Sequence, residues 1–209
     1  GAHQARDPEI HMGLEFDDSD GQTPIDQDEK DALLIKNIAT RRELDEFEQL
    51  GVEKAIEWTM KTKPDTGTVL TEGFIQELHK RMFDDVWKWA GQFRTSNKNL
   101  GVEKDRIRIE LKKLMDDCRY WIEKKVFAED EIAVRFSHRI VTIHPFANGN
   151  GRHSRLIADV LVRHGFGRPY FSWGSLNLTA KGEARSEYLK ALREADEDNY
   201  ASLIDFARQ

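Results

Sequence analysis

Apolar residues recur at three- and four-residue steps along most of the chain beyond residue 40, the spacing of helices that bury one face. Thr40 with Glu43 has the form of a capping box, and Leu44, Phe47, Ala55, Ile56 and Met60 follow it. They predict a helix, or a helix pair broken near Gly51, ended by the Lys63-Pro64-Asp65-Thr66-Gly67 cluster. From Thr71 the positions Phe74, Ile75, Leu78, Met82, Phe83, Val86 and Trp89 predict a second amphipathic helix. The segment AGQFRTSNKNLGVEKDR has short β-compatible pieces around an Asn-rich turn and predicts a hairpin or flap. Leu111, Leu114, Met115, Cys118, Trp121 and Ile122 mark a third helix, with Cys118 as a small core residue. A fourth runs from about Glu129 through Phe136 and Ile140 to Ile143. The chain breaks at His144-Pro145, passes a glycine-rich turn, and resumes with Leu156, Ile157, Val160 and Leu161 until Gly165 and Pro169 stop it. Two C-terminal helices pass through Tyr188, Leu189 and Leu192, and through Leu203, Ile204 and Phe206. The pattern predicts an all-α fold with one small β element and no repeat of 20–50 residues.

Composition narrows the class. Of the 209 residues 39% are apolar and 33% charged, with five Trp and eleven Phe, too much core material for a disordered chain and too polar for a membrane one. No apolar run approaches the roughly 18 residues of a membrane span. A lone cysteine excludes an intrachain disulfide and a cysteine zinc cage, and favours a reducing, cytoplasmic setting. Residues 1–11 read as an expression tag ahead of a start at Met12, 12–67 as an acidic arm with a helical extension, and 68–209 as the main domain. The formal charge of −6 is uneven: residues 12–32 carry eight acidic groups against Lys30 alone. Arg139, Arg152, Arg155, Arg163 and Arg168 fall within thirty residues whose only acid is Asp159. That excess suits a small phosphorylated ligand better than a nucleic-acid track, although three of the five fit solvated helix faces equally well.

The chemistry concentrates in His144-Pro-Phe-Ala-Asn148-Gly149-Asn150-Gly151-Arg152-His-Ser-Arg155. A turn of Gly149, Asn150 and Gly151 leading into a helix offers free backbone N–H groups, a positive dipole end and room for a phosphate. Arg152 and Arg155, three apart in the first turn, can clamp further phosphate oxygens. His144 precedes the turn and is the one group there that titrates near neutrality, a candidate general base.

HPFANGNGRHSR resembles the Fic-domain signature HPFx[D/E]GNGRxxR, with eight fixed positions met. LTEGFIQELHKRMFDDVWKWAGQFR is similar to the first Fic core helix and its exit into the flap, and RSEYLKALREAD to the helix near the adenine pocket. With DGQTPIDQDE and TRRELDEFEQ, the pattern over residues 12–208 looks most like the Fic group known as mobile mystery protein B. The resemblance implies a Fic-fold helical bundle with a β-hairpin flap that transfers AMP from ATP to a Tyr, Ser or Thr hydroxyl of a target protein, releasing pyrophosphate. It implies His144 as the base, Gly149, Asn150 and Gly151 on the α- and β-phosphates, Arg152 and Arg155 on the β- and γ-phosphates, and Phe146 as an anchor. The target would dock by strand addition at the flap, about Thr95 to Asp105. Tyr188 would line the adenine pocket or simply pack.

Asn148 departs from the signature. It stands where the family holds Mg²⁺ with a carboxylate, and as a neutral amide it implies weakened metal binding. A catalytically weak nucleotide-binding or interaction module, or transfer of another phosphate-linked group, are the alternatives. The family's inhibitory pattern [S/T]xxxE[G/N], whose glutamate meets the second motif arginine, here Arg155, is matched literally by Thr68 to Gly73. That would make Glu72 inhibitory, against the simpler reading of a capping residue and a first-turn acid. Glu46 or Glu48 could reach in from the helix after Thr40, without the pattern. His138, His153 and His164 have no zinc spacing, and Trp87, Trp89 and Trp121 read as core rather than a stacking platform. Neither nucleic acid nor membrane is expected as a partner; an inhibitory or antitoxin partner is left open.

Overall fold

The computed structural model describes residues 26–38, 40–175 and 182–209. A short helix α1 (Gln27–Lys30) leads into α2 (Arg41–Thr62), and a single turn α3 (Thr66–Val69) precedes α4 (Glu72–Phe83). Then come α5 (Ile107–Lys124), α6 (Glu129–Ile143), α7 (Asn150–Val160), α8 (Glu183–Asp196) and α9 (Ala201–Arg208). The capping box forms as expected: Glu43 N donates to Thr40 Oγ1 at 3.2 Å and Thr40 N to Glu43 Oε2 at 3.1 Å. Lys63, Lys125 and His144 end α2, α5 and α6 in the left-handed conformation.

Helix α6 is the axis of the bundle, buried on most of its circumference through Ile132, Ala133, Val134, Phe136, Ile140 and Ile143. It packs on α5 and α7, while α2 lies along α4 and α8 along α9. Each large apolar side chain buried there contributes about 1.5–3 kcal/mol, and Cys118 is among them, fully buried with its thiol pKa raised by desolvation. Trp87 is buried in this core, and Trp89 and Trp121 pack partly buried against it.

Of the two alternatives for residues 41–62 the single helix is the one formed, and two further expectations need correction. Gly51 does not break α2; a Cβ there would lie 2.2 Å from the Met82 carbonyl oxygen, so the glycine lets α4 cross at backbone distance. Helix α4 stops at Phe83 rather than reaching Trp89, because residues 84–88 turn to pair with the segment after α1: Leu34 N donates to Val86 O at 2.8 Å and Lys88 N to Ala32 O at 2.9 Å. The hairpin between α4 and α5 is also absent: among the described residues there is no strand, only isolated antiparallel bridges at Leu33–Trp87 and Phe93–Phe146. Residues 95–103 form a loop held by side chains instead. The acidic arm up to residue 25 lies outside the described residues.

Candidate active site

The α6–α7 connection carries the motif. His144 N still donates to Ile140 O at 3.0 Å, and φ 58° then turns the chain out of the helix. A non-glycine residue in this region costs about 1–2 kcal/mol and persists only when its surroundings dictate it. The imidazole is buried and donates to the Val141 carbonyl, which leaves the other ring nitrogen as an acceptor. Burial first, then the cations of Arg94 and Lys98, hold its pKa down at about 4, so it is neutral at pH 7.

Phe146 anchors the loop, as expected. It is fully buried and stacks on the His79 ring at 3.7 Å. Gly91 N donates to His79 Nδ1 at 2.9 Å, so Nε2 carries the proton and donates to Asn148 O at 2.9 Å. Burial draws the His79 pKa well below 6.5. Gly149 adopts φ 76°, and a Cβ there would stand 2.6 Å from the Phe83 ring. Only glycine suits both the angle and the space. The Asn150 side chain is committed to the loop: Phe146 N donates to its Oδ1 at 3.0 Å and its Nδ2 donates to Phe146 O at 2.8 Å. For a ligand, Asn150 therefore offers only its backbone N–H, which with those of Gly151 and Arg152 opens α7 without an intrahelical acceptor.

These groups border one cavity of about 530 Å³, lined by His144, Asn148 to Arg152, Arg155 and the α8 residues Arg185, Tyr188, Leu189, Leu192 and Arg193. Arg155 lies 5.0 Å above the Tyr188 ring and has no carboxylate within ion-pair reach among the described residues. Arg152 is different. Its Nη2 is 2.7 Å from Oε2 of the buried Glu48, close but off the axis of a hydrogen bond, while Trp87 Nε1 donates to Glu48 Oε1 at 2.8 Å. Glu72 does not approach Arg155. It sits in the first turn of α4, capped by Thr71, and pairs with Arg108.

Arg139, Arg163 and Arg168 lie away from the cavity, engaged with Asp117, the Tyr170 ring and Asp130. His138 reaches it, bonded at 2.7 Å to Asp196 and at 2.9 Å to the Tyr200 hydroxyl. His153 is core, donating to Ile75 O at 2.9 Å, and His164 meets the Tyr170 hydroxyl at 3.1 Å. No group of three or more His, Cys, Asp or Glu comes together among the described residues. At the loop, Asn148 Oδ1 already accepts from Gly149 N at 2.8 Å. Hard divalent cations take carboxylates, so this donor set does not fit a protein-held Mg²⁺.

Sequence reasoning did not single out Arg94, Arg185 or Arg193. The α8 pair had a readable signal, since residues 185, 189, 192 and 193 share one helical face. Arg94 had none, because its partners are backbone carbonyls.

A histidine neutral by burial shares one cavity with a glycine-turned helix start and two arginines in a helical fold. A sequence model of the Fic/DOC family matches residues 69–162. A relative named probable protein adenylyltransferase y4lH, of Sinorhizobium fredii, is 32% identical over 139 residues, covering 61% of this chain and 68% of that one. The chain belongs to the Fic/DOC family. The protein adenylyltransferase Fic of Aedes aegypti is 26% identical over 170 residues; they cover 79% of this chain but only 32% of that relative. Among solved structures, the N-terminal Fic domain of a VirB-translocated Bep effector from Bartonella quintana, with ADP bound, superposes with a TM-score of 0.62 at 16% identity, covering 86% of this chain and 94% of that one. No helix among the described residues is long and apolar enough to cross a membrane.

Proposed function

We propose that this chain is a protein adenylyltransferase, moving AMP from ATP to a Tyr, Ser or Thr hydroxyl of a target protein and releasing pyrophosphate. The observation that carries the reading is His144: buried, neutral at pH 7, oriented by its bond to Val141, and lining the same cavity as the start of α7. Its unprotonated nitrogen takes the proton of the hydroxyl as that oxygen bonds Pα, and the bond from Pα to the bridging oxygen breaks as pyrophosphate leaves. The backbone N–H groups of Asn150, Gly151 and Arg152 receive the α- and β-phosphates, and Arg152 and Arg155 the β- and γ-phosphates. Attack at Pα asks for positioning and charge neutralisation more than covalent help, and this site is made of such groups.

Tyr188, with Leu189 and Leu192, would form the wall for the adenine, and the open edge of residues 95–103 would receive the target backbone by hydrogen bonding. Mg²⁺ would be brought by the ATP phosphates, and the neutral Asn148 amide would hold it only weakly. Membership of the Fic/DOC family, relatives named as adenylyltransferases and a nucleotide-bound Fic neighbour support the reading. Asn148 favours a second reading, a nucleotide-binding module with little transfer, because the loop lacks a carboxylate.

Incubating the protein and a cell lysate with ATP labelled at α or at γ separates the two. Label from α only, lost in His144→Ala and increased in Asn148→Asp, is the expected outcome. Label from γ alone would replace adenylylation by phosphorylation. Bound ATP with no transfer from either position would favour the binding module.

A further inference from the structure

Arg94 lies between α4 and α5, outside the motif, and is buried at 4% exposure. Its guanidinium hydrogen bonds go to backbone carbonyls: Nε donates to His144 O at 2.6 Å, Nη2 to Ile143 O at 3.3 Å and to Val102 O, and Nη1 to Ser96 O at 3.0 Å. Its own N–H donates to Pro145 O at 2.9 Å. No carboxylate lies within ion-pair distance among the described residues; burial lowers its pKa below the usual arginine value, opposed only at longer range by the Glu29 carboxylate of α1. Burying a cation without a counterion is costly. What compensates it is the carbonyl end of α6, where the helix dipole is negative and the last carbonyls lack partners.

Two of those carbonyls belong to α6 and its cap, and two to the loop of residues 96–102. The loop also presses on the histidine directly. Val102 N donates to Ile143 O at 3.2 Å, and Gly101, at φ 89°, sits where a Cβ would be 2.6 Å from His144 Cβ. We propose that Arg94 is a positioning residue, whose guanidinium holds His144 and the target-docking loop together as one unit. The inference rests on His144 being the base. It adds that the docking loop cannot move without moving the imidazole, so target engagement and base placement are coupled. The charge acts too: after burial, the Arg94 cation is the main influence lowering the His144 pKa, with Lys98 of the same loop adding to it. The other charged groups lining the cavity are Arg152 and Arg155 of α7, Arg185, Arg193 and Asp196 of α8, and Arg41 of α2.

The test is a proton NMR titration of His144, assigned with His144→Ala, alongside kcat for AMP transfer and the Kd for ATP, in Arg94→Gln, Arg94→Lys and Gly101→Ala. Arg94→Gln is expected to raise the His144 pKa by about one unit and to lower kcat at least tenfold, with the Kd for ATP changed less than about twofold. Arg94→Lys keeps the charge but not the fork, so kcat falls while the pKa stays low. Gly101→Ala would set a methyl 2.6 Å from His144 Cβ and 2.9 Å from Arg94 Nη2, pressing on the ring and on the fork together, and lowers kcat by displacing them. A folded Arg94→Gln with the parent titration and parent kcat overturns the proposal. Should Arg94→Gln not fold, parent kcat in both Arg94→Lys and Gly101→Ala overturns it. If His144→Ala still transfers AMP while Arg94→Gln moves the His144 titration, the coupling stands and the base assignment falls.

Discussion

Glu48 reaches Arg152 from α2, and a phosphate would compete with it for the same guanidinium. Trp87 holds the other carboxylate oxygen, so the acid is fixed in place rather than attracted on demand. Replacing Glu48 with Gln keeps an acceptor for Trp87 and removes the negative charge; ATP binding, followed by calorimetry, is expected to tighten several-fold, about 1 kcal/mol. An unchanged or weaker Kd would mean that the carboxylate orients Arg152 for the ligand. At this scale the motif was legible where the backbone does the work, at Gly149, Gly151 and the His144 cap, because φ and free N–H groups follow from residue type. It was less legible where side chains choose among partners. Asn150 spends its amide on Phe146, and Glu72, which matches an inhibitory pattern, pairs with Arg108 of α5 instead.

Helices followed the apolar spacing closely in α5, α6 and α7, and departed from it where a distant chain supplied a better partner. The run Phe74 to Trp89 has helical spacing throughout, yet the helix ends at Phe83 because Ala32 and Leu34 bond the turns that follow. Gly51 reads as a breaker in isolation and is a crossing point in the bundle. Gly51→Ala should therefore lower stability by about 1–3 kcal/mol although alanine is the better helix former, seen as a lower midpoint in urea. A neutral or stabilising effect would show that α2 and α4 can separate at little cost. The loop of residues 95–103 forms no hairpin because Arg94 takes carbonyls that a partner strand would otherwise use.

Across the whole molecule, four buried titratable groups tie stability to pH. His79, His144 and His153 all have depressed pKa values, the last two at about 4, so they stay neutral in the native state while their unfolded counterparts protonate near 6.5. Their contribution is present above that value and is lost as pH falls towards 4. Asp159 acts in the opposite sense: desolvation lifts it to about 7, against the hydrogen bond from Trp173, so it holds a proton in the native state before the unfolded chain does. Three groups against one leave the unfolded state binding more protons, so stability falls as pH drops through this window. Urea titrations at pH 7.0, 5.5 and 4.5, chosen as roughly spaced points in that window, are expected to show the midpoint falling with pH; a flat profile would refute the neutral histidine core.

The sequence alone determined the helical class, the number and order of the main helices, and the glycine turn that opens α7, because periodicity, caps and glycine act over a few residues. Tertiary structure alone decided which charges share a cavity, and it brought Glu48, Arg94, Arg185 and Arg193 to the motif from 30 to 96 residues away in the chain. It also decided that His144 is neutral. A buried group's proton affinity depends on what surrounds it in space, and no local pattern in the chain records that.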